Sequence, residues 1–213
     1  VSQGALVSDV IRQCECALNG GDTSYSDLII TAPTGAGKSL FFQIPAIYLH
    51  QKYKAVTLVI CPLVALMNDQ VKELEERGIW FSTFINSEIS YETRRDRLDG
   101  IMSGKYSIVY LSPELLLSYD IKNIIGDRTI GLIVVDEAHL VTSWGRDFRV
   151  DYWFLGDYLE TARRGNYYRK TVVATNFPIL CLTATAVFGG RDDVIEDLQK
   201  SLKLNCSSEH LYI

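Results

Sequence analysis

The chain has 213 residues, enough to bury a full core, and its 47% hydrophobic and 22% charged content is that of an ordinary folded domain. No apolar run approaches the roughly 20 residues of a membrane span. A net charge of −5 and a pI near 5.2 exclude a protein that holds nucleic acid by bulk positive charge. The five cysteines (Cys14, Cys16, Cys61, Cys181 and Cys206) are scattered, with no Cys-x-x-Cys pair and no histidine cluster. They point to no metal site and suit a reducing, intracellular compartment, cytoplasmic or nucleoid/nuclear. Val1-Ser2-Gln3-Gly4 opens without methionine and without the basic-then-apolar pattern of a secretory signal, so a piece of a longer chain is expected.

Along the chain, short runs rich in Val, Ile and Leu alternate with amphipathic segments. Strands are expected at Asp27–Ala32, Val56–Cys61, Phe81–Asn86, Ser107–Ser112, Ile130–Asp136 and Ile179–Thr183. Their near-continuous apolar content fits strands buried on both faces, hence a parallel sheet covered by helices. A helix is expected over Ser39–His50, with Pro45 imposing a kink or a tight first turn. Leu66, Val71 and Leu74 mark a second over Val64–Arg77, stopped by Gly78. Ser90–Met102 and Asp192–Leu202 are further helical segments, and the whole reads as one α/β domain.

The strongest local signal is Thr31-Ala32-Pro33-Thr34-Gly35-Ala36-Gly37-Lys38-Ser39, between the first expected strand and the first expected helix. Gly35 and Gly37 allow the backbone to curl with its N–H groups inward, and the helix start adds its positive dipole end. Lys38 reaches the β- and γ-phosphates of a nucleotide, and the Ser39 hydroxyl joins a magnesium shell. Ala32 stands where the general pattern has glycine. A glycine-rich turn without a ligand is the bland alternative, and the Gly-Lys-Ser ending speaks against it.

Roughly 100 residues later, the strand Ile130–Val135 delivers Asp136-Glu137-Ala138-His139 to its C-terminal end, beside the phosphate loop in a parallel sheet. Asp136 is suited to hold Mg2+ and Glu137 to orient or deprotonate the attacking water, with His139 a coupling residue. Together these features describe an ATP hydrolase.

The next residues narrow the class. Ala138-His139-Leu140-Val141-Thr142-Ser143-Trp144-Gly145-Arg146-Asp147-Phe148-Arg149 resembles the aromatic-rich loop of RecQ-type DNA helicases. In that family the loop senses single-stranded DNA. Arg146 stands where many members carry histidine. The segment Ala32–Ser39 with Leu40, Gln43, Ile44 and Pro45 is similar to the family's phosphate loop. Pro62-Leu63-Val64-Ala65-Leu66-Met67-Asn68-Asp69-Gln70-Val71 and Ser112-Pro113-Glu114-Leu115-Leu116 resemble two segments that run along a nucleic-acid strand. Leu182-Thr183-Ala184-Thr185-Ala186 looks like the motif linking nucleotide state to DNA grip.

The resemblance implies a RecA-like P-loop NTPase three-layer sandwich with a mostly parallel central sheet, the first motor domain over residues 1–213. It implies ATP and Mg2+ as cofactors, with the nucleotide held by Thr34, Gly35, Ala36, Gly37, Lys38, Ser39 and Leu40 and the metal by Ser39 and Asp136. Contact with single-stranded DNA, or coupling to it, would fall to Pro62, Leu63, Gln70, Ser112, Pro113, Glu114, Trp144, Arg146, Phe148, Arg149, Thr183 and Thr185. A second RecA-like lobe of the same chain would supply an arginine to the transferring phosphate. The family's adenine-reading glutamine lies upstream of the phosphate loop, where Gln3 and Gln13 are the candidates and Asn19–Asp27 reads as an extended turn.

Glu160–Pro178 is longer than the family usually needs and carries Arg163, Arg164, Arg169 and Lys170 around Tyr167 and Tyr168. That mixture suits nucleic-acid contact and suits an ordinary solvated loop. Three functions stay open: a 3′-to-5′ helicase motor, a translocase or nucleic-acid-gated switch in a repair or phage-defence complex, and a degenerate binding scaffold. No membrane partner is expected.

Overall fold

A computed structural model of the chain describes residues 2–20, 25–33, 35–141, 151–164, 176–184 and 194–212. In chain order these form α1 (Gln3–Gly20), β1 (Leu28–Thr31), α2 (Leu40–Tyr53), β2 (Val56–Ile60), α3 (Val64–Glu76) and β3 (Ser82–Ile85). There follow α4 (Tyr91–Met102), β4 (Ile108–Leu111), α5 (Pro113–Ser118), α6 (Ile121–Ile125) and β5 (Ile130–Val135). A 3-10 turn (Ala138–Val141), α7 (Asp151–Arg164), β6 (Ile179–Thr183), α8 (Val194–Ser201), a second 3-10 turn (Ser208–His210) and β7 (Leu211–Tyr212) complete it.

The described strands make one seven-stranded sheet in the order β3-β4-β2-β5-β6-β1-β7, with every pairing parallel. Every residue of β2, β4, β5 and β6 is buried, because helices cover both faces. Alternate strand residues feed two cores. Leu28, Ile30, Val59, Val134 and Leu182 pack under α1, α2 and α3 through Val10, Phe41, Leu49, Met67 and Leu74. Ile29, Leu58, Ile60, Ile133 and Val135 pack on the other side with Ile101, Leu116, Ile124, Leu155, Leu159 and Leu198. The expected three-layer α/β architecture is therefore the observed one.

Local chemistry sets the boundaries. The Ser90 hydroxyl accepts from Thr93 N at 3.1 Å and caps α4, and Ser112 does the same for α5 from Leu115 N at 3.4 Å. Gly78, at φ +80°, ends α3 where the sequence predicts a stop. Pro45 sits buried inside α2, which runs through it from Leu40 to Tyr53. The carbonyl of Phe41 forgoes the bond that Pro45 cannot donate.

The six expected strands are all present, and β7 adds a two-residue strand at one edge. Of the expected turn at Asn19–Asp27, Asn19 and Gly20 instead end α1, and residues 21–24 lie outside the described residues. The start of the expected long loop, from Glu160 to Arg164, is instead the end of α7. This corrects the reading of Arg163 as a solvent-facing or nucleic-acid-facing cation. Its guanidinium turns inward onto Asp27, which is fully buried. Asp27 Oδ1 also accepts from Ile179 N and Oδ2 from Asn205 N, both at 2.7 Å. Arg163 Nε and Nη2 donate to the Phe177 carbonyl at 3.2 and 2.9 Å. One carboxylate thus ties the starts of β1 and β6 to the end of α7 and to the segment after α8. Arg164, Tyr167, Tyr168, Arg169 and Lys170 have side chains outside the described residues.

Candidate active site

In a parallel sheet the C-terminal ends of all strands share one edge. The strand order sets the loops along that edge as Ser112 after β4, Pro62 after β2, Asp136 after β5, Thr183 ending β6 and the phosphate loop after β1. Backbone bonds fix the row. Cys61 N donates to Leu111 O at 2.9 Å, Asp136 N to Ile60 O at 2.9 Å, and Ala32 N to Thr183 O at 3.0 Å.

The phosphate loop leaves β1 through Ala32 and Pro33 and turns at Gly35 (φ +84°) and Gly37 (φ +73°), conformations that side chains resist. The amides of Gly35, Gly37, Lys38 and Ser39 donate to no backbone carbonyl among the described residues. The Ser39 hydroxyl likewise caps nothing at the head of α2. The loop therefore sets a group of amides at a helix start with no partner carbonyl among the described residues. Gln3 Nε2 donates to the Ala36 carbonyl at 2.9 Å, and Gln3 lines a cavity of about 300 Å³ with Ala32, Pro33, Ala36, Phe41 and Tyr212. Gln13 is buried elsewhere, donating to Asp9 Oδ1 at 3.0 Å and accepting from Ser26 N at 2.9 Å. Of the two glutamines, Gln3 stands at the loop.

Across from the loop, Lys38 Nζ lies 3.5 Å from Glu137 Oε1, joining residues 99 apart in sequence. Glu137 adopts φ +47°, a left-handed conformation unusual for a side-chain-bearing residue, at the corner where β5 ends. Its N–H donates to Asp136 Oδ1 at 2.9 Å. His139 Nδ1 is 3.4 Å from Glu137 Oε2 and 3.2 Å from the hydroxyl of Thr183, itself fully buried. A continuous contact path thus runs Lys38–Glu137–His139–Thr183. Burial raises the Asp136 carboxyl above its ordinary range, and the bond from Glu137 N–H works against that shift.

The expected nucleic-acid residues divide by exposure. Pro62, Ser112 and Pro113 are buried, while Leu63 and Glu114 are exposed. Gln70 is half-buried, and its Oε1 accepts from Gln43 Nε2 at 2.8 Å. Leu40 opens α2 beside the loop, its N bonded to Gly37 O at 3.0 Å. Thr34, Trp144, Arg146, Phe148, Arg149 and Thr185 lie outside the described residues. The role of Gln43 as the link between α2 and α3 was not read from the sequence, where a glutamine inside an apolar helix carries no partner label.

The DEAD/DEAH box helicase family model matches residues 12–192. The chain belongs to that family. It is 34% identical over 197 residues to an ATP-dependent DNA helicase RecQ of Haemophilus influenzae, covering 92% of this chain and 27% of that protein. It is 37% identical over 166 residues to the RecQ of Bacillus subtilis, covering 78% and 25% respectively. With the ATP-dependent helicase SGS1 of Saccharomyces cerevisiae it shares 36% identity over 178 residues, covering 81% and 11%. In sequence this helicase-family chain is thus similar to RecQ-type helicases, and it spans between about a tenth and a quarter of the length of these relatives. Among solved structures, the helicase MrfA bound to DNA and AMPPNP matches with TM-score 0.65 at 17% identity over 97% of this chain and 26% of that one. The Pyrococcus furiosus Hef helicase domain matches with TM-score 0.57 at 20% identity over 97% and 37%. At those identities the likeness is one of fold, the RecA-like α/β sandwich.

Proposed function

We propose that residues 1–213 are the first motor lobe of a longer RecQ-like 3′-to-5′ DNA helicase that hydrolyses ATP with Mg2+ when single-stranded DNA is engaged. The observation that carries this reading is the path from Lys38 through Glu137 and His139 to Thr183, which joins a phosphate loop to a water-activating carboxylate and to the end of a further strand. The donor set fits a nucleotide: the amides of Gly35, Gly37, Lys38 and Ser39, bonded to no carbonyl among the described residues, suit phosphate oxygens, and Gln3 stands ready for the edge of the base.

The donor set also fits a divalent cation. Asp136 carries a carboxyl for which burial makes charge costly, and the uncommitted Ser39 hydroxyl is the second ligand. Such an ion, when bound, neutralises charge on the phosphates. Glu137 then orients the attacking water and takes its proton, Lys38 holds the γ-phosphate, and His139 passes the state of Glu137 to Thr183. Exposed Leu63 and Glu114, with Trp144, Arg146, Phe148, Arg149 and Thr185, are assigned to the DNA track and its coupling. A second lobe supplies the arginine for the transferring phosphate, so the isolated chain binds nucleotide and turns it over poorly. No helix among the described residues is long and apolar enough to cross a membrane. An intracellular site of action, alone or in a multiprotein complex, accords with DNA as substrate.

The test is ATP hydrolysis by the full-length protein with single-stranded DNA, duplex DNA or RNA added, beside Lys38→Ala. Stimulation by single-stranded DNA, abolished in the variant, is the expected result. Turnover indifferent to every nucleic acid would remove the motor reading and leave a switch or scaffold.

A further inference from the structure

The cavity of about 300 Å³ beside the phosphate loop is built from segments far apart in sequence. The helix α1 supplies Gln3 and Leu6, the loop supplies Pro33 and Ala36, and β7 supplies Leu211 and Tyr212. Gln3, Leu6 and Asp9 recur every third residue, so they fall along one stripe of α1. On the sheet, Tyr212 pairs with Ile30 of β1 and packs against the core on the α1 side. Its hydroxyl donates to Asp9 Oδ2 at 2.6 Å, and the same oxygen is 2.8 Å from His210 Nδ1. Asp9 is itself buried, with Oδ1 accepting from Gln13 Nε2 at 3.0 Å. Burial and the bond to Asp9 push the Tyr212 phenol up to about 12, so near neutral pH the hydroxyl keeps its proton and donates. The ring is thus fixed at two points, by the strand pairing of its backbone and by the carboxylate at its tip.

The lining has the chemistry of a site for a flat heterocycle, which needs a polar partner for its edge and an apolar surface for its face. Gln3 provides the edge partner. Its Nε2 is held by the Ala36 carbonyl at 2.9 Å, which leaves Oε1 to accept from a base amino group. Two aromatic rings line the cavity. Phe41 is only 2% exposed and is committed to the core, whereas Tyr212 is half-buried and has ring surface left to offer.

We infer that Tyr212 is the base platform of the nucleotide site: its ring takes the face of the purine whose edge Gln3 meets, and the bond to Asp9 holds that ring in place. The inference rests on the nucleotide binding proposed above. It divides the affinity for ATP between the phosphates, held by the loop, and the base, held between α1 and β7.

The experiment measures, by calorimetry on the full-length protein, the affinities for a non-hydrolysable ATP analogue and for inorganic tripolyphosphate, each with magnesium. The wild type is compared with Tyr212→Phe and Tyr212→Leu, and melting temperatures are recorded beside them. Both variants lose the bond to Asp9 and only the first keeps a flat ring, so the difference between them isolates the ring. The wild type should bind the analogue more tightly than tripolyphosphate. Tyr212→Phe should keep most of that preference. Tyr212→Leu should bind the analogue about tenfold more weakly than Tyr212→Phe, with tripolyphosphate affinity equal in the two. If the wild type binds neither ligand, the nucleotide reading fails and the platform with it. If the wild type binds both ligands equally, or the two variants hold the analogue equally, the platform alone is overturned. It is overturned also if tripolyphosphate affinity falls with that for the analogue in Tyr212→Leu, which would make Tyr212 a packing residue.

Discussion

Replacing Arg163 with alanine tests how the far edge of the sheet is held. Asp27 is fully buried and its two oxygens accept four bonds, two from the Arg163 guanidinium and two from the backbone N–H groups of Ile179 and Asn205. In Arg163→Ala the two backbone bonds remain, but the buried charge loses its counter-ion and the Phe177 carbonyl loses its donor. Breaking one side of a buried pair costs about 3–5 kcal/mol, because the charge left behind is uncompensated. That is a large share of the ~5–15 kcal/mol by which a domain is stable. Urea denaturation at pH 7, followed by far-ultraviolet circular dichroism, should show a midpoint lowered by that amount at unchanged slope. Adding Asp27→Asn to Arg163→Ala should return part of the loss, since the amide oxygen still accepts one backbone N–H and the charge is gone. A loss below about 1 kcal/mol, the range of exposed ion pairs, would mean that Arg163 is solvated and that α7 is not docked as described.

Gly156 on α7 faces the end of α8 so closely that an added Cβ would stand 2.0 Å from Ser201 O. Gly156→Ala should therefore lower the melting temperature, an overpacking cost of about 1–3 kcal/mol outweighing the better helix propensity of alanine. Burial acts to raise the Asp9 carboxyl, yet bonds from Tyr212, Arg12, Gln13 and His210 more than offset it and hold Asp9 at about 2. A depressed carboxyl stabilises the fold above its unfolded value near 3.8 and loses that contribution as pH falls toward 2. The urea midpoint should fall over that window in the wild type and far less in Asp9→Asn, which starts lower at pH 7. Thr183→Val keeps the buried shape but removes the hydroxyl 3.2 Å from His139 Nδ1. Nucleotide affinity should persist in it, while DNA-stimulated turnover drops by about tenfold, read as kcat with KM for ATP little changed.

What the sequence made legible follows from where its signals are strong. The strands were visible because a chain buried on both sides must be apolar at every position, as Ile130–Val135 and Ile179–Thr183 are. The phosphate loop and the Asp136-Glu137 pair were visible because each couples a strand end to a residue pattern with one chemical use. Contacts made by chance of topology were not visible. Arg163 looked like part of a basic, aromatic-rich loop, and only the docking of α7 beside the start of β1 turns it into the partner of Asp27, 136 residues away. β7 escaped notice because a two-residue strand has no periodicity, and α5 and α6 because one or two turns carry too little. Gln3 and Gln13 had equal standing as sequence. They separate once α1 is a helix, which sets Gln3 at the end near the loop and Gln13 ten residues on, beside Ser26.

The acidic composition and the proposed grip on an anionic polymer are compatible for a reason the sheet edge supplies. An acidic domain repels a phosphate chain at long range, and at an ionic strength near 0.15 M that repulsion fades beyond about 8 Å. At contact range the proposed DNA segments after β2 and β4 open helices, α3 at Val64 and α5 at Pro113, whose first backbone N–H groups suit phosphate oxygens without a lysine. Neutral amides displace few of the cations condensed on the phosphates, so binding built on them should depend on salt less steeply than binding through a lysine-rich patch. A log–log slope near −2 for single-stranded DNA against salt would accord with two or three charged contacts plus amides. A slope near −6 would require an extended basic surface in place of backbone amides, and would move the DNA track elsewhere in the full-length protein.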